Sequence, residues 1–369
     1  MNKLSTSLAC AASALALSAA PSVLASDFYQ QRNLVSDSPA VRAEHRDPNL
    51  VNAWGLAFNP YAVAWVADNG KGVATLYDGT GRPQNLVVTI PGVGGKPGNP
   101  TGTVFYGGPG FVVKKGNASA PSRFLFASED GGIAGWAPSV ERTSAIRVID
   151  NSASHAIYKG IALSGTGRGT VLYATDFHNG KIDVFDANFA RVTLPGQPFR
   201  DPNLPAGYGP FGIQSINGDL YVSYARQDPN REDDVKGPGF GFVSVFAPDG
   251  RFLRRFASAG PLNAPWGMAL APASFGRFGS RLLVGNFGDG LINAYDLATG
   301  KWLGQLKAPD RKPIRIDGLW GIAFGNGVNE QPVDTLFFSA GPNDESNGLY
   351  GRLDVAPGDE HDETPEGQY

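Results

Sequence analysis

Two groups of side chains in this sequence have the types and spacing to do chemistry. The first comprises Trp54, Thr101, Lys159, Phe211, Trp266 and Trp320, each standing directly before a glycine in a phrase that recurs along the chain. Indole and phenyl faces stack on sugars and other flat ligands, and Lys159 offers a cation to an anionic group. The same rings also suit a purely structural role, filling gaps between repeating units. The second group is acidic. Asp228, Asn230, Glu232, Asp233 and Asp234 crowd one insert, and Asn343, Asp344 and Glu345 follow in a later loop. Oxygen donors of this kind suit calcium, which takes about six to eight of them. Asp228, Asp233, Asp234, Asn343, Asp344 and Glu345 are therefore the candidate metal ligands. They coordinate jointly across a shared face, meet Lys or Arg from elsewhere, or remain solvated.

Conventional catalytic signatures are missing. There is no Gly-x-Ser-x-Gly elbow, no zinc spacing and no phosphate loop. The four histidines, His45, His155, His178 and His361, are scattered, and only His178, close to Asp176 and Lys181, has the surroundings of a general acid or base. A turn role explains it equally well. The formal charge of −3 and the lack of a Lys/Arg cluster exclude a nucleic-acid partner. Residues 1–25 read as a secretory leader: Lys3 precedes an apolar run from Leu8 to Ala20, and Val23-Leu24-Ala25 offers a cleavage site. A periplasmic or secreted chain is expected. Its only cysteine, Cys10, leaves with the leader, so neither a disulfide nor thiol chemistry is expected afterwards.

The elements that must position these residues follow from the repeat. It runs through Ala53-Trp54-Gly55-Leu56-Ala57-Phe58, Pro100-Thr101-Gly102 and Tyr158-Lys159-Gly160-Ile161-Ala162-Leu163, then Pro210-Phe211-Gly212, Pro265-Trp266-Gly267-Met268-Ala269-Leu270 and Leu319-Trp320-Gly321-Ile322-Ala323-Phe324. The glycines recur at intervals of 47, 58, 52, 55 and 54 residues. Each copy is followed by further short runs rich in β-branched and aromatic residues, bounded by Gly, Asn and Asp, as in Trp65-Val66-Ala67-Asp68 and Ala74-Thr75-Leu76-Tyr77-Asp78. That is strand grammar. The expected fold is all-β: one six-bladed propeller over residues 26–355, with four antiparallel strands per blade. The last unit has no fourth run, whereas Gln31 to Ser36, ahead of the first repeat, has the character of one. The N-terminal strand is therefore expected to close the last blade. Residues 356–369 form an acidic tail.

The Gly-Ile-Ala phrase with Val66-Ala67-Asp68-Asn69-Gly70 resembles NHL-type propellers. Across residues 26–355 the chain is similar to an uncharacterised bacterial family of exported conserved hypothetical proteins. The phrases that carry this likeness are Asn33-Leu34-Val35-Ser36-Asp37, Asp47 to Gly55, Tyr158-Lys159-Gly160, Asp233 to Gly239 and Gly341 to Glu345. That resemblance implies the fold and no known activity. A more distant likeness, to gluconolactonase- and paraoxonase-type propellers, implies a calcium held by residues just before the inner-strand glycines. Here that position carries one side-chain oxygen, Thr101, although Asn52, Asn99, Asn263 and Asp317 lie slightly upstream. The expected function is binding of a small molecule, glycan or protein in the cell envelope through the Trp-bearing channel face. A metal-dependent hydrolase or lyase is the alternative.

Overall fold

The computed structural model describes residues 26–167 and 169–357. The expected leader, residues 1–25, and nearly all of the expected acidic tail, residues 356–369, lie outside them. Six sheets are arranged so that each blade begins with its repeat phrase as the innermost strand. The inner strands are Ala53–Phe58, Pro100–Phe105, Tyr158–Thr166, Tyr208–Ile216, Pro265–Leu270 and Leu319–Phe324. Antiparallel partners then follow in order toward the rim.

Sterics explain why glycine recurs. A Cβ on Gly55 would lie 2.3 Å from the carbonyl oxygen of Thr101, one on Gly212 2.1 Å from that of Trp266, and one on Gly267 2.4 Å from that of Trp320. Each of these glycines thus admits the backbone of the next blade, at the residue preceding that blade's own glycine. Gly321 completes the circuit against the carbonyl oxygen of Trp54, 2.8 Å from its missing Cβ. Hydroxyls from second strands fasten the same seam. Thr175 Oγ1 donates to the Phe211 carbonyl at 2.8 Å, and Ser339 Oγ to that of Trp54 at 2.5 Å.

The apolar core is divided into wedges between neighbouring blades. Trp65 and Leu76 of blade one pack on Phe124, Phe126 and Trp136 of blade two, while Leu283 and Ile292 of blade five meet Leu336 and Phe338 of blade six. Within the first wedge the Trp65 and Phe124 rings stack at 4.2 Å.

Tyr29–Ser36 forms the fourth strand of blade six, antiparallel to Leu349–Val355, from Tyr29 opposite Val355 to Ser36 opposite Leu349. A short parallel strand, His45–Arg46, extends this sheet to five. The closing strand also reaches blade five. Tyr29 stacks on Phe275 at 4.7 Å, and its hydroxyl accepts from the Phe278 N–H at 3.1 Å.

Two further blades depart from the simple four-strand pattern. Blade three has three strands, Tyr158–Thr166, Gly169–Asp176 and Lys181–Phe185, and an isolated bridge from Phe185 to Arg191 stands where the fourth would begin. Beyond it, Pro195 and Pro198 lack the N–H groups that a ladder needs. Blade two carries an additional hairpin, Val112–Lys115 with Ala118–Pro121, between its first and second strands.

Candidate functional site

The six residues that precede the repeat glycines converge on the axis, where most of them are buried. Trp54, Thr101, Lys159, Phe211 and Trp320 are buried, and Trp266 is half-buried. Trp54 stacks on Trp320 at 3.8 Å, and the opposite face of Trp320 stacks on Phe287, also at 3.8 Å. Phe211 and Trp266 meet Trp320 edge-on at 5.8 and 5.9 Å. Asn52 Oδ1 accepts from the Trp320 indole at 3.0 Å, and the Lys159 carbonyl accepts from that of Trp266 at 3.0 Å. Trp54 Nε1 is buried without a partner. Together these rings plug the channel. On the far side, the inner strands of all six blades line an open cavity of about 560 Å³ that includes Leu56, Thr103, Leu163, Gln214, Met268 and Ile322.

Above the plug lies a charged mouth. The Lys159 ammonium stands 5.3 Å over the Trp54 ring and pairs with Glu129 at 2.5 Å and Asp233 at 2.9 Å. Burial works against its charge, but the two carboxylates more than offset this and hold it protonated, its pKa raised. The other Glu129 oxygen accepts from Asn69 at 2.8 Å, while Glu345 accepts from Asn52 at 2.6 Å. Burial also raises the pKa of Glu345. Asp234 is the most perturbed acid of the mouth. Burial pushes it up to about 7 against the pull of Lys159 and Lys236, and Glu345 and Asp233 raise it further. One of its oxygens, Oδ2, is buried with no hydrogen-bond partner.

The six candidate metal ligands separate into two sets. Asp233, Asp234 and Glu345 turn toward the mouth. Asp228 instead accepts from the Glu232 N–H at 2.8 Å within its own loop, Asn343 donates to Asn347 at 2.8 Å, and Asp344 is fully exposed. Asn343, Asp344 and Glu345 occupy three consecutive left-handed conformations, with φ of 57°, 48° and 64°. That strained turn is what directs Glu345 inward. Among the described residues, no three His, Cys, Asp or Glu side chains stand close enough to hold a metal ion.

A second depression, of about 230 Å³, opens beside the mouth between blades two, three and four. Glu129, Asp130, Ser152, His155, His178 and Glu232 line it, and the two imidazole centroids are 6.1 Å apart. Separation along the chain hid this meeting from sequence reasoning. The signal available was placement: both histidines lie in turns on the same face, one entering blade three and one inside it. The pairing of Glu129 and Asp233 through Lys159 was hidden for the same reason.

No family model matches the chain. Among solved structures, a Bacteroides thetaiotaomicron protein of unknown function is similar at a TM-score of 0.56 and 12% identity, over 88% of this chain and 76% of that one. A glucose dehydrogenase is similar at a TM-score of 0.51 and 13% identity, over 89% of this chain and all of that one. At such identities the likeness concerns the fold alone. Sequence relatives lie nearer, and they are viral where the resemblance pointed to bacteria. The uncharacterised protein L690 of Acanthamoeba polyphaga mimivirus is 36% identical over 87% of this chain and 84% of its own length. R648 of the same virus is 35% identical over 85% of this chain and 77% of its own length. The chain therefore belongs to the family that includes these uncharacterised mimivirus proteins.

Proposed function

We propose that this propeller is a binding protein for a small molecule bearing a protonated amine, held at the acidic mouth above the aromatic plug. The leader-like pattern of residues 1–25, Lys3 ahead of the apolar run from Leu8 to Ala20, supports a periplasmic or secreted location. The observation that carries the reading is the Asp234 carboxyl, which has a buried oxygen without a partner. Among the described residues, the cations that act on Asp234 and Glu345 are Lys159 and Lys236, and Lys159 is already committed to Glu129 and Asp233. An incoming ammonium supplies the missing positive charge together with N–H donors for Asp234 and Glu345. The stacked indoles support the mouth from below and are not themselves the stacking platform.

Isothermal titration of the purified chain with a short aliphatic diamine, and separately with calcium, tests this. Saturable diamine binding that Asp234→Asn and Glu345→Gln each weaken by about tenfold or more, the loss of one charged hydrogen bond, is the expected result. Calcium binding without diamine binding would replace the amine with a metal. Binding of neither, or diamine binding indifferent to both substitutions, would remove the reading.

A further inference from the structure

The amine site leaves the opposite face of the disk unused. There a depression of about 610 Å³ opens between blades one and two. Three strand ends of blade two build it: Phe105 closes the inner strand, Phe124 opens the second strand, Phe124–Ser128, and Trp136 closes the third, Gly132–Trp136. Trp65 enters from the second strand of blade one, Ala64–Asp68. Its ring stacks on Phe124 at 4.2 Å and meets Trp136 at 4.6 Å, while Phe105 packs edge-on against Phe124 at 5.5 Å. The Trp136 indole already donates to the Arg142 carbonyl at 3.0 Å, so what it offers the depression is an apolar surface.

Two further lining side chains, Tyr61 and Arg123, have no use in the fold. Tyr61 is 86% exposed, although its loop, residues 59–63, is firmly held. Asn326 Nδ2 donates to the Asn59 and Ala62 carbonyls at 2.6 and 2.7 Å, and Asn59 Oδ1 accepts from the Tyr61 N–H at 3.0 Å. A large ring is thus presented to water on a rigid support. The backbone of Arg123 is equally fixed, its N–H donating to the Trp136 carbonyl at 2.7 Å and its carbonyl accepting from the Tyr106 N–H at 2.8 Å. Its guanidinium meets no carboxylate among the described residues and donates weakly to the Gly107 carbonyl, at 3.4 Å. Among the described residues that line the depression, Arg123 is the one with a charged side chain.

We propose that this depression is a second small-molecule site, one for a planar aromatic carboxylate. Its volume falls within the range of about 300–1,000 Å³ usual for ligand pockets, and its makeup, apolar and aromatic walls with one placed polar group, is theirs as well. The walls select the ring, which packs against the aromatic side chains and covers Tyr61. The guanidinium selects the charge, because its planar fork pairs with a carboxylate through two parallel N–H bonds and no acid in the lining competes for it. Rigid loops reduce the ordering cost of binding. This site differs from the amine site in face and in sign of charge, so it stands independently of that reading.

Isothermal titration of the purified chain with 1-naphthylacetate, and separately with its neutral amide, 1-naphthylacetamide, tests the proposal. The expected result is one saturable site for the acid, with the amide weaker by about tenfold or more, the loss of a charge-assisted pair. Arg123→Gln should weaken the acid by the same factor and leave the amide unchanged, an outcome that a merely disturbed fold would not give. Tyr61→Ala should weaken both ligands several-fold without moving the melting temperature, since its ring is exposed in the free chain. No binding of the acid, equal binding of acid and amide, or acid binding that survives Arg123→Gln would overturn the proposal.

Discussion

At the scale of single residues, the mouth concentrates acids in a place where burial disfavours their charged forms. Asp234, titrating near 7 in the folded chain, has an unfolded value of about 3.9. Between those two values the folded state binds more protons than the unfolded state, so stability falls as pH rises through this window. Glu345 is raised in the same direction. The melting temperature is expected to decrease from pH 5 to pH 8, and Asp234→Asn should flatten that decline; a slope left intact by the substitution would show that Asp234 is not its source. Trp54 and Trp320 show the opposite design, large rings with almost no exposure, 2% and 1%. Truncation of either to Ala should cost about 3–5 kcal/mol in denaturant unfolding, and acrylamide should fail to quench both. Trp266, half-buried, should cost less.

At the scale of elements, the strand Tyr29–Ser36 is the one on which the others depend. It buries Tyr29, Leu34 and Val35 completely, side chains each contributing about 1.5–3 kcal/mol, and it supplies the ladder to Leu349–Val355. Their sum is a large share of a typical stability of about 5–15 kcal/mol. Deleting residues 28–37 should therefore abolish cooperative unfolding or lower the melting temperature drastically, whereas a trimmed end would leave the melting curve in place. The closing role of this strand was legible because blade six visibly lacked a fourth run and Gln31 to Ser36 had nothing else to pair with. The missing fourth strand of blade three was not legible in the same way. Its apolar residues Val192 and Leu194 pack as a loop against blades three and four, so composition alone does not distinguish them from a ladder.

At the scale of the whole molecule, the circuit of glycines was readable because every blade meets the same steric demand, the backbone of the next blade within about 2–3 Å of the absent Cβ: a carbonyl oxygen at Gly55, Gly160, Gly212, Gly267 and Gly321, and the Ile161 nitrogen at Gly102. The candidate site was readable only in part. The six residues before the glycines were correctly placed around one axis by the repeat, yet repetition alone cannot tell a lining from a plug. That distinction depended on Phe287 and Phe177, which lie outside the phrase and complete the stack. The meetings of Lys159 with Glu129 and Asp233, and of His155 with His178, are contacts between loops of different length. No period announces them.

Closure also sets a timetable for synthesis. Among the described elements, Tyr29–Ser36 is the first to leave the ribosome, and its partner Leu349–Val355 is the last. At about 5–20 residues per second, the early strand waits for tens of seconds with both edges open, a state that invites pairing with other chains. Its own composition limits that hazard. Gln30, Gln31, Arg32 and Asn33 interrupt the apolar positions, and Arg32 finds a local partner in Glu44 at 3.0 Å, only twelve residues downstream. Polar side chains thus break the apolar pattern in the segment that must remain available longest, the kind of composition by which edge strands limit pairing with other chains.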